Sequence, residues 1–211
     1  MFEHLFNVHA NETCIVIGNG PSLNEVPDSF LDSHITFGTN RIYLRRVPDY
    51  YVCVNELVLE QYHNEIEALP CTKFVRERTG FKDAHDLHLI ETPMFSFSPS
   101  VWLYDGCNVT FVALELAFFM GFTTVMLVGV DHRYDYNGQP NETLNMIGKD
   151  PNHFDPSYFM GAKWQAPDLE KSEAAYKMAK EAYELNGRRI INMTHDSALT
   201  VFETEAVTWV P

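Results

Sequence analysis

Residues 14–23 read CIVIGNGPSL, four β-prone residues running into a Gly-Asn-Gly-Pro-Ser turn. A buried strand that stops at Gly18 and Gly20 lets the backbone approach a ligand and aims main-chain N–H groups at anionic oxygens. Pro21 suits the first position of a following helix, and Ser22 and the glycine N–H groups are then expected to be free for phosphate. The chain has neither the third glycine of a dinucleotide fingerprint nor the Gly-Lys-Ser/Thr ending of a P-loop. The turn reads as a phosphate nest of unspecified kind.

Further polar residues fall at similar places. Asn19 lies in the turn, Asn40 follows the strand-like run 35–38, and Asn55 follows the run 50–54. An amide offers donors and an acceptor without charge, which suits a ribose hydroxyl, a base edge or a phosphate, although asparagine is also a common turn residue. Asp131 ends the run MLVGVD, and a carboxylate there suits a sugar hydroxyl, a cationic ring or a metal. Beyond it come His132, Tyr134, Tyr136, His153, Tyr158 and Lys163. His153 is the general-base candidate, because imidazole titrates near neutral pH. Asp131 with His132 and Asp135 has no recognised metal-ligand spacing such as HExxH, so no metal site is assigned.

These residues need a scaffold that gathers strand ends. Strand signals at 14–17, 35–38, 50–54, 72–75, 123–130 and 189–193 alternate with helix signals at 55–69, 109–120 and 169–186. The pattern predicts an α/β, Rossmann-like, mostly parallel sheet with helices on both faces. Asp168 is placed to cap the last helix and Gly187 to close it. Between Asp131 and Pro167 the periodicity vanishes, so 132–167 is read as a lid or substrate-binding insertion within a single domain spanning 1–211. It follows the most apolar strand, at the end where ligands of open α/β sheets bind.

Bulk properties limit the partners. The 211 residues carry 29 acidic and 15 basic side chains, a net charge of -14. That argues against wrapping nucleic acid or lying on an anionic membrane, both of which need a basic face. A small anion would have to be held locally, and Arg41, Arg45 and Arg46 are the clustered cations available. The apolar run 109–130 contains Glu115 and is split at Gly121 into a helix and a strand, each too short to span a bilayer. Four separated cysteines without a CxxC, together with a first segment unlike a signal peptide, predict free thiols and a cytoplasmic location.

Taken in order, GNGPSL, the strand-end asparagines, MGFTTVMLVGVD and the late DSAL resemble one superfamily. It contains the bacterial CMP-sialic acid-dependent sialyltransferases and the MptE-like 6-hydroxymethylpterin diphosphokinases. The similarity spans roughly 14–202, and HFDPSYF is more similar to the MptE-like group. The sialyltransferase resemblance implies that the glycine turn with Asn19, Asn40 and Asn55 holds CMP, that Tyr134 and Tyr136 support the leaving phosphate, and that a lid histidine deprotonates the acceptor. His153 matches the start of the family's lid motif, whose base falls nearer Ser157 or Tyr158. The family also carries an arginine and a serine before the long helix; here no arginine is present, and Asn108 is the polar candidate.

The resemblance therefore implies a nucleotide-dependent transferase. The leading form is a glycosyltransferase taking a CMP-activated sugar to a small-molecule or glycan acceptor, with no cofactor required. The alternative is a diphosphokinase using ATP and Mg²⁺, with Asp131 as the metal ligand, and a binding protein without catalysis is a third reading. An oligomer is compatible with all three.

Overall fold

A computed structural model describes residues 2–205; Met1 and 206–211 of the expected domain lie outside the described residues. Eight parallel strands form the main sheet: β1 (Thr13–Ile17), β2 (Ile35–Thr39), β3 (Tyr50–Cys53), β4 (Thr72–Arg76), β5 (His85–Leu87), β6 (Thr124–Val128), β7 (Arg189–Asn192) and β8 (Glu203–Thr204). Their order is β8-β7-β6-β1-β2-β3-β4-β5. The chain winds outward from β1 to β5, then returns to the other side of β1 through β6. That reversal puts a crevice between the C-terminal ends of β1 and β6, where open α/β sheets bind ligands.

The near-continuous apolar runs of the central strands follow from burial on both faces. In β1, Cys14 and Val16 enter one core with α4 (Val109–Phe119) and α5 (Leu169–Leu185). Ile15 and Ile17 enter the other, where Val58, Leu59 and Ile66 pack from α2 (Glu56–Gln61) and α3 (His63–Glu67). The short α1 (Asp28–Leu31) adds Leu31 to the same layer. The Rossmann-like fold with helices on both faces is thus present. Helix α4 is buried all round from Thr110 to Phe119 and is apolar but for Thr110 and Glu115, and Asn108 Oδ1 caps it by accepting from Thr110 N at 2.9 Å. Asp168 caps α5 through Lys171 N at 3.1 Å.

Three expectations need correction. The helix at 55–69 is interrupted at Tyr62, which leaves helical geometry (φ -124°, ψ 27°). Its ring lies 3.8 Å beneath the Arg41 guanidinium and 6.2 Å from the Phe159 ring. The strand expected to reach Val130 stops at Val128, because Gly129 adopts φ +67° and turns the chain. Residues 132–167 are also not wholly irregular: Thr143–Asn145 pairs antiparallel with Lys163–Gln165.

Candidate functional site

A cavity of about 540 Å³ lies over the crevice. Its floor is formed by residues after β1 (Gly18, Asn19, Gly20), β2 (Thr39, Asn40), β3 (Val54, Asn55) and β6 (Gly129 to Arg133). The N-terminal ends of α4 and α5 close one side, and Tyr134, His153, Phe159 and Trp164 of the lid segment close another.

The glycine turn is not the open nest that its sequence suggests. Gly18 N donates to Val128 O and Gly20 N to Gly129 O, each at 2.8 Å. Ser22 donates to Asp131 through both its Oγ, 2.7 Å from Oδ2, and its backbone N, 3.2 Å from Oδ1. The expectation of free glycine and Ser22 N–H groups is therefore overturned, and Pro21 and Ser22 are not among the lining residues. Glycine is required for close approach: a Cβ on Gly18 would overlap Gly129 O, and one on Gly20 would overlap the Asp131 carboxylate. The segment after the turn is a short 3-10 helix, Pro21–Glu25, opened by Pro21.

Asp131 is itself held from behind by the DSAL segment. Ala198 N donates to Asp131 O at 2.9 Å, and Ser197 Oγ donates to Val130 O at 2.6 Å. Val130 N in turn donates to Thr194 Oγ1 at 3.0 Å. The motif's late position is explained by this buttress, which fixes the β6 turn against the β1 turn.

The asparagines all line the cavity, with different commitments. Asn19 Nδ2 donates to Thr39 Oγ1 and O at 2.8 and 3.1 Å, while its Oδ1 is buried without a hydrogen bond. Asn40 takes a left-handed backbone, φ 49°, and its Oδ1 receives a long contact from Cys53 Sγ. Asn55 caps α2 through Val58 N and donates Nδ2 to Gln165 Oε1 at 3.0 Å, which ties the sheet to the lid. Asn108 caps α4, and burial pushes the Tyr176 phenol beside it up to about 12, a rise that Asn108 and Thr110 moderate.

The lid segment is docked on the glycine turn. Phe154 N donates to Asn19 O at 2.9 Å, and Asn24 Nδ2 donates to Phe154 O at 2.8 Å. Beside this contact His153 Nδ1 lies 2.8 Å from Asp150 Oδ2, and the imidazole stacks on Tyr158 with centroids 4.1 Å apart and planes 7° apart. A carboxylate only accepts, so the pairing assigns the hydrogen to Nδ1 and leaves the Nε2 lone pair available. Nε2 has no hydrogen-bond partner among the described residues. The Asp150 side chain is fully buried and that of His153 is 11% exposed. Asp150 escaped notice in the sequence, where its spacing of three residues from His153 was the available signal.

Neither Ser157 nor Tyr158 takes the position of a base. Tyr158 is buried with its hydroxyl accepting from Arg41 N at 2.7 Å, and Ser157 Oγ donates to Asp155 on the surface. Tyr134 lines the cavity, and burial drives its phenol well above its ordinary range. Tyr136 does not line it; its hydroxyl points to Pro167 O at 3.4 Å while its ring meets Trp164 edge-on.

The expected cations are elsewhere. Arg41 lies over Tyr62, Arg45 pairs with Asp28 at 2.6 Å and Arg46 with Asp32 at 3.1 Å, and none lines the cavity. Its lining instead holds Arg76 and Arg133, with five carboxylates: Glu56, Glu60, Asp105, Asp131 and Asp168. His132 also lines it; burial lowers its pKa, partly offset by Glu173, whose Oε1 lies 3.4 Å from Nε2 but out of line for a hydrogen bond. Among the described residues no three His, Cys, Asp or Glu side chains converge in a way that could hold a metal ion. Asp131, the ligand expected for Mg²⁺ in a diphosphokinase, lines the cavity and accepts one hydrogen bond from Ser22 at each oxygen. The four cysteines are free thiols, and no described helix is long and apolar enough to cross a membrane.

Fold and cavity define a doubly wound α/β protein with a ligand-sized crevice at the switch point. Two solved structures share this fold at low sequence identity. The Maf glycosyltransferase from Magnetospirillum magneticum AMB-1 superposes with a TM-score of 0.59 at 15% identity, covering 95% of this chain and 35% of that one. This chain thus spans about a third of that protein's length. The sialyltransferase CstII from Campylobacter jejuni, solved with cytidine-5'-monophosphate, superposes with a TM-score of 0.53 at 14% identity, covering 94% of this chain and 86% of that one. No family model and no curated protein sequence matches the chain.

Proposed function

We propose that this protein is a glycosyltransferase that moves a sugar from a CMP-activated donor to a hydroxyl acceptor. The observation that carries the reading is the Asp150–His153 pair on the lid wall of the switch-point cavity. The fold it shares with a glycosyltransferase and a CMP-binding sialyltransferase supports the donor class. The acceptor O–H gives its proton to His153 Nε2 as the oxygen attacks the anomeric carbon. The bond from that carbon to the phosphate oxygen breaks, and CMP departs with the electron pair. Asp150 keeps the ring oriented and stabilises the imidazolium that forms.

The acidic lining favours this chemistry over pyrophosphoryl transfer. A triphosphate brings more negative charge into a cavity with five carboxylates and two guanidiniums than a nucleoside monophosphate ester does.

Thermal denaturation with CMP, CTP, ATP and a hydroxymethylpterin, each with and without Mg²⁺, tests the reading. A ligand of the folded state stabilises by RT ln(1 + [L]/Kd), about 2.7 kcal/mol at a hundredfold excess over Kd. Stabilisation by CMP without metal is expected; a response to ATP only with Mg²⁺ would mark a diphosphokinase, and no response a different function. His153→Ala should lower transfer by about 10²- to 10⁴-fold with the fold intact. Full activity in that variant would remove His153 from the mechanism.

A further inference from the structure

We propose that Arg133 is the cation that receives the phosphate of the bound nucleotide, with Asp196 of the DSAL segment as its positioning residue. The inference rests on the nucleotide reading of the cavity and deepens it. Gly18 N, Gly20 N and Ser22 N are spent on Val128, Gly129 and Asp131, which leaves Asn19 N as the turn's unpaired backbone donor among the described residues, so an anion in this crevice gains most from a side-chain cation. Only Arg76 and Arg133 line the cavity among the described arginines and lysines.

The two differ in what neutralises them. Arg76 Nε is bound at 2.9 Å by Glu56, itself a lining residue, so that pair brings no net charge to the wall. Arg133 is bound by Asp196, which does not line the cavity. Nη1 donates to Asp196 Oδ2 at 3.2 Å and Nη2 to Asp196 O at 3.1 Å. A guanidinium has five N–H donors, so this two-point hold leaves three for a ligand.

Position agrees with charge. Arg133 lies two residues beyond Asp131, on the turn that faces Gly18 and Gly20 across the switch point. Asp196 adopts a left-handed backbone, φ 50°, inside the segment whose neighbours Ser197 and Ala198 bind Val130 and Asp131. One loop thereby fixes both the turn and the guanidinium that projects from it. At 62% side-chain exposure Arg133 is accessible to a ligand while Asp196 holds it.

The test compares a nucleotide with its nucleoside. Affinities of wild type, Arg133→Ala, Arg133→Lys and Asp196→Ala are measured by calorimetry for CMP and cytidine, then for the monophosphate and nucleoside pairs of uracil, adenine and guanine. Arg133→Ala should weaken CMP by roughly tenfold and leave cytidine unchanged, the loss of one partly exposed charge-assisted contact. Arg133→Lys should recover part of the loss, and Asp196→Ala should show a smaller loss confined to CMP. The CMP effect should shrink as salt is raised. Equal losses for CMP and cytidine, or none for either, would overturn the assignment. Wild type that ignores CMP but binds another monophosphate overturns the CMP reading alone, and Arg133 is then judged on that pair. Binding of no nucleotide overturns both.

Discussion

The strand-end wall of the cavity and its lid wall treat their polar groups in opposite ways. At the strand ends, Gly18 and Gly20 donate to Val128 and Gly129, Ser22 donates to Asp131, and Thr194, Ser197 and Ala198 secure Val130 and Asp131 from behind. On the lid, Asp150 fixes one nitrogen of His153 and leaves the other unpaired. Mutual satisfaction is concentrated in the wall that carries the recognisable motif, and the unpaired imidazole nitrogen lies in the wall whose sequence has no periodicity. A motif can thus be read as a ligand site when its first task is to hold two strands in register.

Substitutions should separate the two walls by readout. The largest stability effect is expected for Gly18→Ala, whose Cβ would overlap the Gly129 carbonyl, which cannot move aside without breaking its hydrogen bond from Gly20 N. A loss of about 3 kcal/mol or more by chemical denaturation is expected. A Gly18→Ala protein of wild-type stability would show that the strand-end wall is not rigid. Asp131→Ala should follow at about 2 kcal/mol, through loss of two hydrogen bonds to a carboxylate. This loss should appear without any ligand; a variant that is stable but binds no nucleotide would make Asp131 a ligand contact instead.

A third region keeps pH effects on stability distinct from those on catalysis. Glu115 is buried in α4, with Ser96 N donating to its Oε1 and its Oε2 unpaired, and desolvation raises its pKa to about 9. Because the folded value is above the ordinary carboxyl value of 4.5, the folded protein holds a proton that the unfolded chain releases. The contribution is fully present below 4.5 and is lost as pH rises toward 9, at about 1.4 kcal/mol per pH unit. Glu115→Gln should abolish that slope between pH 6 and 8.5 and leave the pH profile of transfer unchanged. A persisting slope would place the stability-linked proton elsewhere.

Legibility in the sequence followed the range of the interactions. The central strands, the capped helices α4 and α5 and the lid's location rest on periodicity and on caps such as Asn108 and Asp168, all local features. The edge strands β5 and β8, three and two residues long, are too short to carry a pattern. Tyr62, where its helix breaks, meets Arg41 and Phe159, neither of which is a sequence neighbour. The site divides the same way. Asn19, Asn40, Asn55, Asn108 and Asp131 stand beside elements that could be counted along the chain, and all five line the cavity. Arg133 acquires its place from Asp196, and the glycine N–H groups lose theirs to Val128 and Gly129. Such pairings exist only once the sheet has formed.

The smallest expected effect addresses the joint between the walls. Asn24 Nδ2 donates to Phe154 O, and Phe154 N donates to Asn19 O, so two hydrogen bonds clip the lid beside His153 to the glycine turn. Asn24→Ala removes one of them at a net cost of about 1 kcal/mol. If the lid opens as a local unit, the cost falls on that opening and leaves global unfolding unchanged. Amide exchange at Phe154 should then accelerate about fivefold, while the midpoint of thermal unfolding stays near wild type. Transfer should stay near wild type, because the closed lid, with His153 held by Asp150 and stacked on Tyr158, remains the dominant state. Unchanged exchange at Phe154 would mean that the lid and the strand ends open together, and the two walls would then behave as one cooperative unit.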